Sequence, residues 1–96
     1  MKLAFSAGAD DDLTDIALYI ARDSPRRARS FVAELRQWCE GLVQHTDRYP
    51  LMTEYGAGIR RAPYGFYGVY YSVHPDHVLI EHVVHSARDM GPQYFW

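Results

Sequence analysis

The chain has 96 residues, of which 48% are hydrophobic and 15% aromatic, which predicts one folded domain over residues 1–96 and excludes a disordered chain. The formal net charge of −2 disfavours a module that binds nucleic acid through its phosphates, so we expect no direct sequence-specific DNA binding. The single cysteine excludes an internal disulfide and no apolar run approaches the ~18 residues of a membrane span, so we expect a cytoplasmic protein with no membrane partner.

The first element in chain order is a short apolar strand over residues 2–6, which Gly8 is expected to break. Three aspartates follow at positions 10–12, and acidic side chains suit the positive N-terminal end of a helix. Apolar residues then recur with the spacing of one helical face, at Leu13, Ile16, Ala17 and Ile20. These features predict an amphipathic helix over residues 10–22.

A second helix is predicted over residues 25–45. Ser24 supplies a capping hydroxyl and Pro25 the preferred first helical residue. Because only residues 22–24 separate the two helices, they should form an antiparallel hairpin. The side chains expected in the core of the two helices are Ile16, Ile20, Phe31, Leu35, Trp38 and Leu42.

The remaining elements have the period-two pattern of strands. Residues 46–58 are irregular and indicate a loop, and strands are predicted over 59–63, 67–74 and 78–86. Turns at 64–65 and 75–76 join these strands into an antiparallel meander. The predicted fold class is therefore α+β: an N-terminal strand, a helical hairpin and a three-stranded meander in one sheet. One face of the sheet covers the helices and the other stays partly open.

Several local patterns together resemble the ParE/RelE toxin superfamily, in its ParE-like branch. Their order and spacing are more specific than any one of them, and the closing His-x-Ala-Arg-Asp is the sharpest piece. The matching segments, in chain order, are Leu3-x-Phe5-Ser6-x-x-Ala9, Asp12-Leu13-x-x-Ile16-x-x-Tyr19-Ile20, Ser24-Pro25-x-x-Ala28-x-x-Phe31-x-x-x-Leu35, Ile59-Arg60-Arg61, Tyr70-Tyr71-x-Val73 and Val83-Val84-His85-Ser86-Ala87-Arg88-Asp89.

The resemblance implies the toxin half of a type II toxin–antitoxin pair, with the role in plasmid stabilization for which such pairs are known. ParE-like members act on DNA gyrase, whereas RelE-like members enter the ribosome and cleave mRNA as endoribonucleases. We favour a gyrase inhibitor that is not an enzyme and causes growth arrest, bound and neutralised by a cognate antitoxin. An mRNA interferase and a non-toxic family member stay open as alternatives.

Candidate residues for ribonuclease chemistry are His85, Arg88 and Arg60. His85 could act as an acid or base, but we find no convincing second group for that role. Arg88 is either the cation of a recognition patch or a partner of Asp89 that fixes the chain end. Arg60 and Arg61 are adjacent on a strand, so they should point to opposite faces and at most one can join Arg88. No confident catalytic residue follows.

The candidate partner-binding residues are mostly arginines around the second helix, together with an aromatic C-terminal tail. The arginines form either a solvated face or a docking surface for an acidic antitoxin segment, and the tail would be costly to leave in water. The full set is Arg22, Arg26, Arg29, Arg36, Arg60, Arg88, Tyr94, Phe95 and Trp96.

We expect neither a metal site nor a cofactor. His82 and His85 are three apart on a strand and should face opposite ways, while His74 and His77 flank a turn and could hold only a weak surface metal. Cys39 falls on the apolar face of the second helix, so we expect a buried, unreactive thiol.

Overall fold

A computed structural model describes residues 1–86 of the chain. The elements are β1 (Lys2–Phe5), α1 (Ala7–Ala21), α2 (Pro25–Gln44), a short 3-10 helix (Thr53–Tyr55), β2 (Ile59–Tyr64), β3 (Tyr67–Val73) and β4 (His77–His85).

The first helix begins three residues earlier than the sequence predicts. Ser6 is its N-cap, and the Ser6 hydroxyl accepts a hydrogen bond from the Ala9 amide at 3.0 Å. Such a cap satisfies an amide that the helix itself cannot pair, so α1 starts at Ala7. Gly8 therefore lies inside the first turn instead of ending the strand, because the capping serine precedes it.

The second helix has the predicted bounds to within one residue. The Ser24 hydroxyl accepts from the Arg27 amide at 3.1 Å, and Pro25 occupies the first helical position. The helix ends at Gln44, one residue before the predicted end. Residues 22–24 connect the two helices, which pack against one another as the hairpin that the sequence indicates.

The four strands form one mixed sheet in the order β1-β4-β3-β2. Strands β2, β3 and β4 are the predicted antiparallel meander, and β1 pairs in parallel with β4. The β2–β3 turn falls at residues 65–66, one position later than predicted, because Gly65 supplies the left-handed backbone (φ 57°) that the turn needs. A β-bulge opposite Tyr70 and Tyr71 shifts the β3–β4 register. The α+β fold class is confirmed.

The main core lies between the helices and the sheet. The larger side chains fully enclosed there include Leu35 and Tyr71. Three residues predicted for this core, Ile16, Ile20 and Trp38, are only half-buried. On α1 the positions that reach full burial are Ala9 and Leu13, in the half of the helix nearer its start, so the later isoleucines lie at the margin. Trp38 lies at the edge of α2's buried stripe, where its ring packs 5.0 Å from that of Tyr64.

The opposite face of the sheet carries a smaller cluster. Ile59, Tyr70 and Val84 are buried there, and Tyr55 of the 3-10 helix packs on them with its ring 5.1 Å from that of Tyr70. The face that we expected to be partly open is thus closed at these three residues, because the predicted loop folds back as the 3-10 helix. None of the helices in residues 1–86 is long and apolar enough to cross a membrane.

Candidate partner-binding surfaces

A groove runs along the outer side of the helical hairpin, away from the sheet. Its volume is about 600 Å³. Alanines on both helices keep the groove open, and Leu18 and Val32 add larger apolar surface. The residues that line it are Thr14, Ala17, Leu18, Ala21, Pro25, Ala28, Arg29, Val32, Ala33 and Arg36. We call this surface the hairpin groove.

Of the arginines predicted to dock a partner, Arg29 and Arg36 line the hairpin groove. The arginines around the two helices differ in what they contact. Arg36 lies 3.2 Å from the Asp10 carboxylate and 4.5 Å from the centre of the Phe5 ring. Arg22 lies 5.9 Å from the centre of the Tyr19 ring. Within residues 1–86, no ion pair engages Arg26 or Arg29, and both are exposed. These two are therefore the cations most available to an incoming acidic segment.

The end of β4 places His85 in an aromatic setting. The His85 ring meets the Tyr67 ring edge-on at 5.2 Å and stacks with the Phe66 ring at 6.3 Å. Phe66 is 78% exposed, in the turn between β2 and β3. Arg88, which the sequence places beside His85, lies outside the described residues.

Arg60 and Arg61 point to opposite faces of the sheet, as strand alternation predicts. Arg60 donates to the carbonyl oxygen of Tyr49 at 2.6 Å and to that of Asp47 at 3.4 Å, so it braces the loop after α2. The guanidinium that reaches the end of β4 belongs instead to Arg61, which donates to the Ser86 hydroxyl at 3.0 Å.

Arg61 can follow this path because Gly68 has no side chain. A Cβ atom at position 68 would lie 2.6 Å from Arg61 Nε. The sequence contains a signal for this arrangement, since a glycine inside a strand often marks a close approach. The sequence does not reveal which face of β2 meets the helices, so it does not distinguish Arg61 from the predicted candidate Arg60.

A second cavity, of about 330 Å³, lies between α1 and the end of β4. One wall is built on Asp12, whose carboxylate accepts from the Val83 amide at 2.9 Å and lies 2.8 Å from His82 Nδ1. The side chains of Asp12 and His82 are only 11% and 17% exposed. The pair ties α1 to β4, and the sequence gives no sign of it because it joins residues seventy positions apart. The lining residues are Asp12, Asp15, Ile16, Tyr19, Tyr67, Val83, Val84 and His85.

A serine, a histidine and a carboxylate meet near the β3–β4 turn. Ser72 Oγ lies 2.7 Å from Glu81 Oε2 and 2.8 Å from His74 Nε2. A carboxylate only accepts, so the hydroxyl proton points to Glu81 and Ser72 accepts from His74. A histidine that donates to the serine cannot remove its proton, so this network orders the hairpin and does not activate Ser72 as a nucleophile.

The other histidines at the β3–β4 turn are also engaged. The His74 and His77 rings stack at 4.6 Å, and His77 Nδ1 lies 2.6 Å from the Asp76 carboxylate. This hydrogen bond lowers the pKa of the Asp76 carboxyl below its ordinary value. Within residues 1–86, no three His, Cys, Asp or Glu side chains lie close enough together to hold a metal ion.

Cys39 is fully buried on the inner side of α2. Burial raises the pKa of its thiol to about 12, and the nearby Arg36 only partly offsets this. Because the thiolate is the reactive form, the thiol is inert in the folded protein, as its place on the apolar stripe predicts.

The aromatic tail predicted to bind a partner, Tyr94, Phe95 and Trp96, lies outside the described residues, as does Arg88. The proposed sites that the structure does describe therefore fall on the helical hairpin and around β2 and the end of β4.

Comparisons with known proteins agree with this architecture. The sequence model of a family described as "ParE toxin of type II toxin-antitoxin system, parDE" matches residues 3–90. A chain from the solved structure "Chromosomal ParDE TA system from P. aeruginosa" has 18% sequence identity and a TM-score of 0.74, covering 88% of this chain and 95% of that one. At this identity the likeness shows a shared fold. No curated protein matches the chain significantly.

Proposed function

The chain belongs to the ParE toxins of type II toxin–antitoxin systems, and from this membership we propose that it arrests growth by binding DNA gyrase until a cognate antitoxin neutralises it. The observation that carries the antitoxin half of the proposal is the hairpin groove, an apolar channel whose lining includes Arg29. Arg29 and the nearby Arg26 of the same helix are exposed and have no ion pair among the described residues. Both gyrase and the antitoxin are cytoplasmic partners, which makes the cytoplasm the proposed location.

The antitoxin is expected to place an acidic, otherwise disordered segment along the hairpin groove. Such a segment folds as it binds and can wrap a large surface. Its apolar side chains would fill the space beside Leu18 and Val32, and its carboxylates would lie near Arg26 and Arg29. Exposed ion pairs each contribute only ~0–1 kcal/mol, so most of the affinity arises from the apolar contacts. Charge then acts mainly on the association rate.

This model predicts how charge reversal changes antitoxin binding. Arg26→Glu and Arg29→Glu should each slow association with the acidic segment several-fold at low salt, and the effect should shrink at high salt because ions screen exposed charges. Arg48→Glu is a matched control, since Arg48 is an exposed arginine beyond the end of α2. Stopped-flow binding of the C-terminal half of the protein encoded by the adjacent reading frame measures these rates. Equal association rates for all three variants at low salt would refute docking at the arginines.

Two features of the sheet support a protein target over RNA cleavage. Arg60 donates to two backbone carbonyl groups, so it is not free to clamp a phosphate. His85 packs against the rings of Phe66 and Tyr67, which suits a recognition surface at least as well as an acid–base role. We propose that His85 and Arg61 contribute to the target-binding surface, with Arg88 and the aromatic tail as further candidates.

Expression without the antitoxin tests the target. We expect filamentous cells with DNA damage while translation continues, and inhibition of gyrase-dependent supercoiling by the purified protein. Quantifying plasmid topoisomers together with amino-acid incorporation separates replication arrest from translation arrest. Ribosome-dependent mRNA cleavage that His85→Ala abolishes would instead assign the chain to the interferase branch.

A further inference from the structure

The cavity between α1 and the end of β4 is lined by carboxylates and aromatic rings together. Its volume of about 330 Å³ is at the lower end of the range of small-ligand sites, which suits a single side chain. The carboxylates belong to Asp12 and Asp15, and the rings to Tyr19, Tyr67 and His85. Among the described residues that line the cavity, none is a lysine or an arginine. The lining therefore favours a positively charged group over an anion.

Asp15 is the carboxylate that can accept a new partner. It is exposed, and no ion pair within residues 1–86 engages it. Asp12 is instead part of the fold, because its carboxylate accepts from the Val83 amide and lies 2.8 Å from His82 Nδ1. Asp15 follows three residues later, on the same side of α1. Asp12 thus fixes the wall of the cavity, and Asp15 presents an acceptor beside it.

The edge of β4 directs a backbone acceptor toward the cavity. The Ser86 amide donates to the Phe66 carbonyl oxygen at 2.7 Å, so these two residues form a hydrogen-bonded pair of the β3–β4 ladder. Such pairs alternate with non-hydrogen-bonded pairs, so Val83, three residues earlier, turns its backbone groups away from β3. On that side β1 pairs with β4 only as far as Ile80, and Asp12 meets the Val83 amide. The Val83 carbonyl group therefore points toward α1.

We propose that the cavity binds an arginine side chain presented by the protein target. A guanidinium group carries five N–H donors in one plane, so it can serve the Asp15 carboxylate and the Val83 carbonyl group together. Its flat faces are attracted to tyrosine rings, and α1 and β3 supply Tyr19 and Tyr67. A lysine ammonium is more strongly hydrated and has no flat face, so it gains less from the same rings.

Tyr19 shows this kind of contact within the chain itself. Its ring is 69% exposed, and the guanidinium carbon of Arg22, which does not line the cavity, lies 5.9 Å from the ring centre. The cavity also continues into the proposed target surface, because His85 lines it and stacks with the exposed Phe66. The hairpin groove proposed for the acidic antitoxin uses other residues of α1. The identity of the partner rests on the proposed function, whereas the preference for arginine does not.

A blocked arginine tests the preference without any target protein. N-acetyl-arginine methylamide should bind the full chain with a dissociation constant on the order of 1–10 mM, and the NMR signals of Asp15, Tyr19 and Val83 should shift most. N-acetyl-citrulline methylamide is the control, because it has the same shape without the charge, and it should bind at least about five-fold more weakly. Equal affinity for the two compounds, or shifts confined to another surface, would overturn the proposal.

Charge removal at constant size tests the role of Asp15. Asp15→Asn should weaken binding of the arginine compound about three- to five-fold. Asp11→Asn is the matched control, since Asp11 is an exposed aspartate of α1 outside the cavity, and it should bind as the unaltered protein does. The same spectra show that both variants are folded. An Asp15→Asn variant with unaltered affinity contradicts the proposal, and so does binding that appears only in Arg88→Gln, because Arg88 of this chain would then fill the cavity.

Inhibition of gyrase-dependent supercoiling tests the partner separately. Asp15→Asn should inhibit several-fold less than the unaltered protein, and Asp11→Asn should inhibit equally well. If the unaltered protein does not inhibit gyrase, the proposed function fails while the measured preference for arginine stands. If it does inhibit and Asp15→Asn inhibits to the same extent, the target places no arginine in the cavity and the proposal is wrong.

Discussion

At the scale of single residues, Gly8 shows how a small side chain allows a long-range contact. Its backbone lies against His82, which in turn meets Asp12. A Cβ atom at position 8 would lie 2.7 Å from His82 Cε1, closer than real carbon contacts allow. The glycine that the sequence indicated as a strand breaker therefore has a packing role inside the helix.

Replacing Gly8 with alanine should destabilise the protein. Alanine is the better helix former by ~0.5–1 kcal/mol, but the clash displaces His82 from Asp12, and overpacking of this kind costs about 1–3 kcal/mol. Gly41→Ala is the matched control, because a Cβ atom there meets nothing within 4 Å. Urea denaturation should show a lower free energy of unfolding for Gly8→Ala and one higher by ~0.5–1 kcal/mol for Gly41→Ala. Equal gains for both variants would show that His82 can move freely.

At the scale of elements, α2 is the helix that organises the core. Its buried residues recur at intervals of three and four and form one continuous stripe from Ala28 to Leu42. Leu35 lies at the middle of this stripe and is fully buried. The outer side of the same helix supplies half of the hairpin groove, so one element both holds the sheet and presents the proposed docking surface.

Truncation of Leu35 to alanine should reduce the free energy of unfolding by about 2–5 kcal/mol, as expected for a large core residue that leaves a cavity. Gln37→Ala, on the exposed side of α2, should change it by no more than about 0.5 kcal/mol. Thermal or urea unfolding of the two variants measures the difference. A Leu35 variant as stable as the Gln37 variant would show that Leu35 does not pack in the core.

At the scale of the whole molecule, the fold buries ionisable groups in their neutral form. Burial raises the pKa of the Cys39 thiol to about 12, and desolvation also raises the pKa of the Tyr71 hydroxyl. In the unfolded chain these groups have ordinary values of 9.0 and 10.0. The unfolded chain therefore releases protons at a lower pH than the folded one, which links the stability of the whole domain to pH.

The free energy of unfolding should accordingly be constant with respect to these groups below pH ~9 and should fall as the pH rises above it. Deprotonation of Cys39 in the unfolded chain should account for at most about 1.4 kcal/mol of this fall per pH unit. Urea titrations at pH 7, 9 and 10.5 measure the decline. Cys39→Val keeps an apolar side chain but removes the thiol, so its stability should decline less between pH 9 and 10.5. An identical decline in both proteins would mean that Cys39 does not drive the alkaline loss.

The position of β1 illustrates what strand prediction leaves open. The sequence predicts a first strand at residues 2–6, and the strand exists at Lys2–Phe5. Its neighbour in the sheet is β4, the last described strand, in parallel register. Local pattern gives a strand's existence, but its partner depends on which sheet edge the helical hairpin leaves accessible.

The sequence by itself determined the order of elements, the helical hairpin, the meander, the buried Cys39 and the ParE-like family. The family rests on the resemblance of several motifs in their order and spacing. The other features follow from local periodicity, caps and turns, which act between residues close in the chain. Only the tertiary structure decided that Arg61 and not Arg60 reaches the end of β4, and that Asp12 meets His82. Each of those depends on which distant elements pack together, and no local pattern encodes the relative placement of residues that are adjacent only in the folded chain.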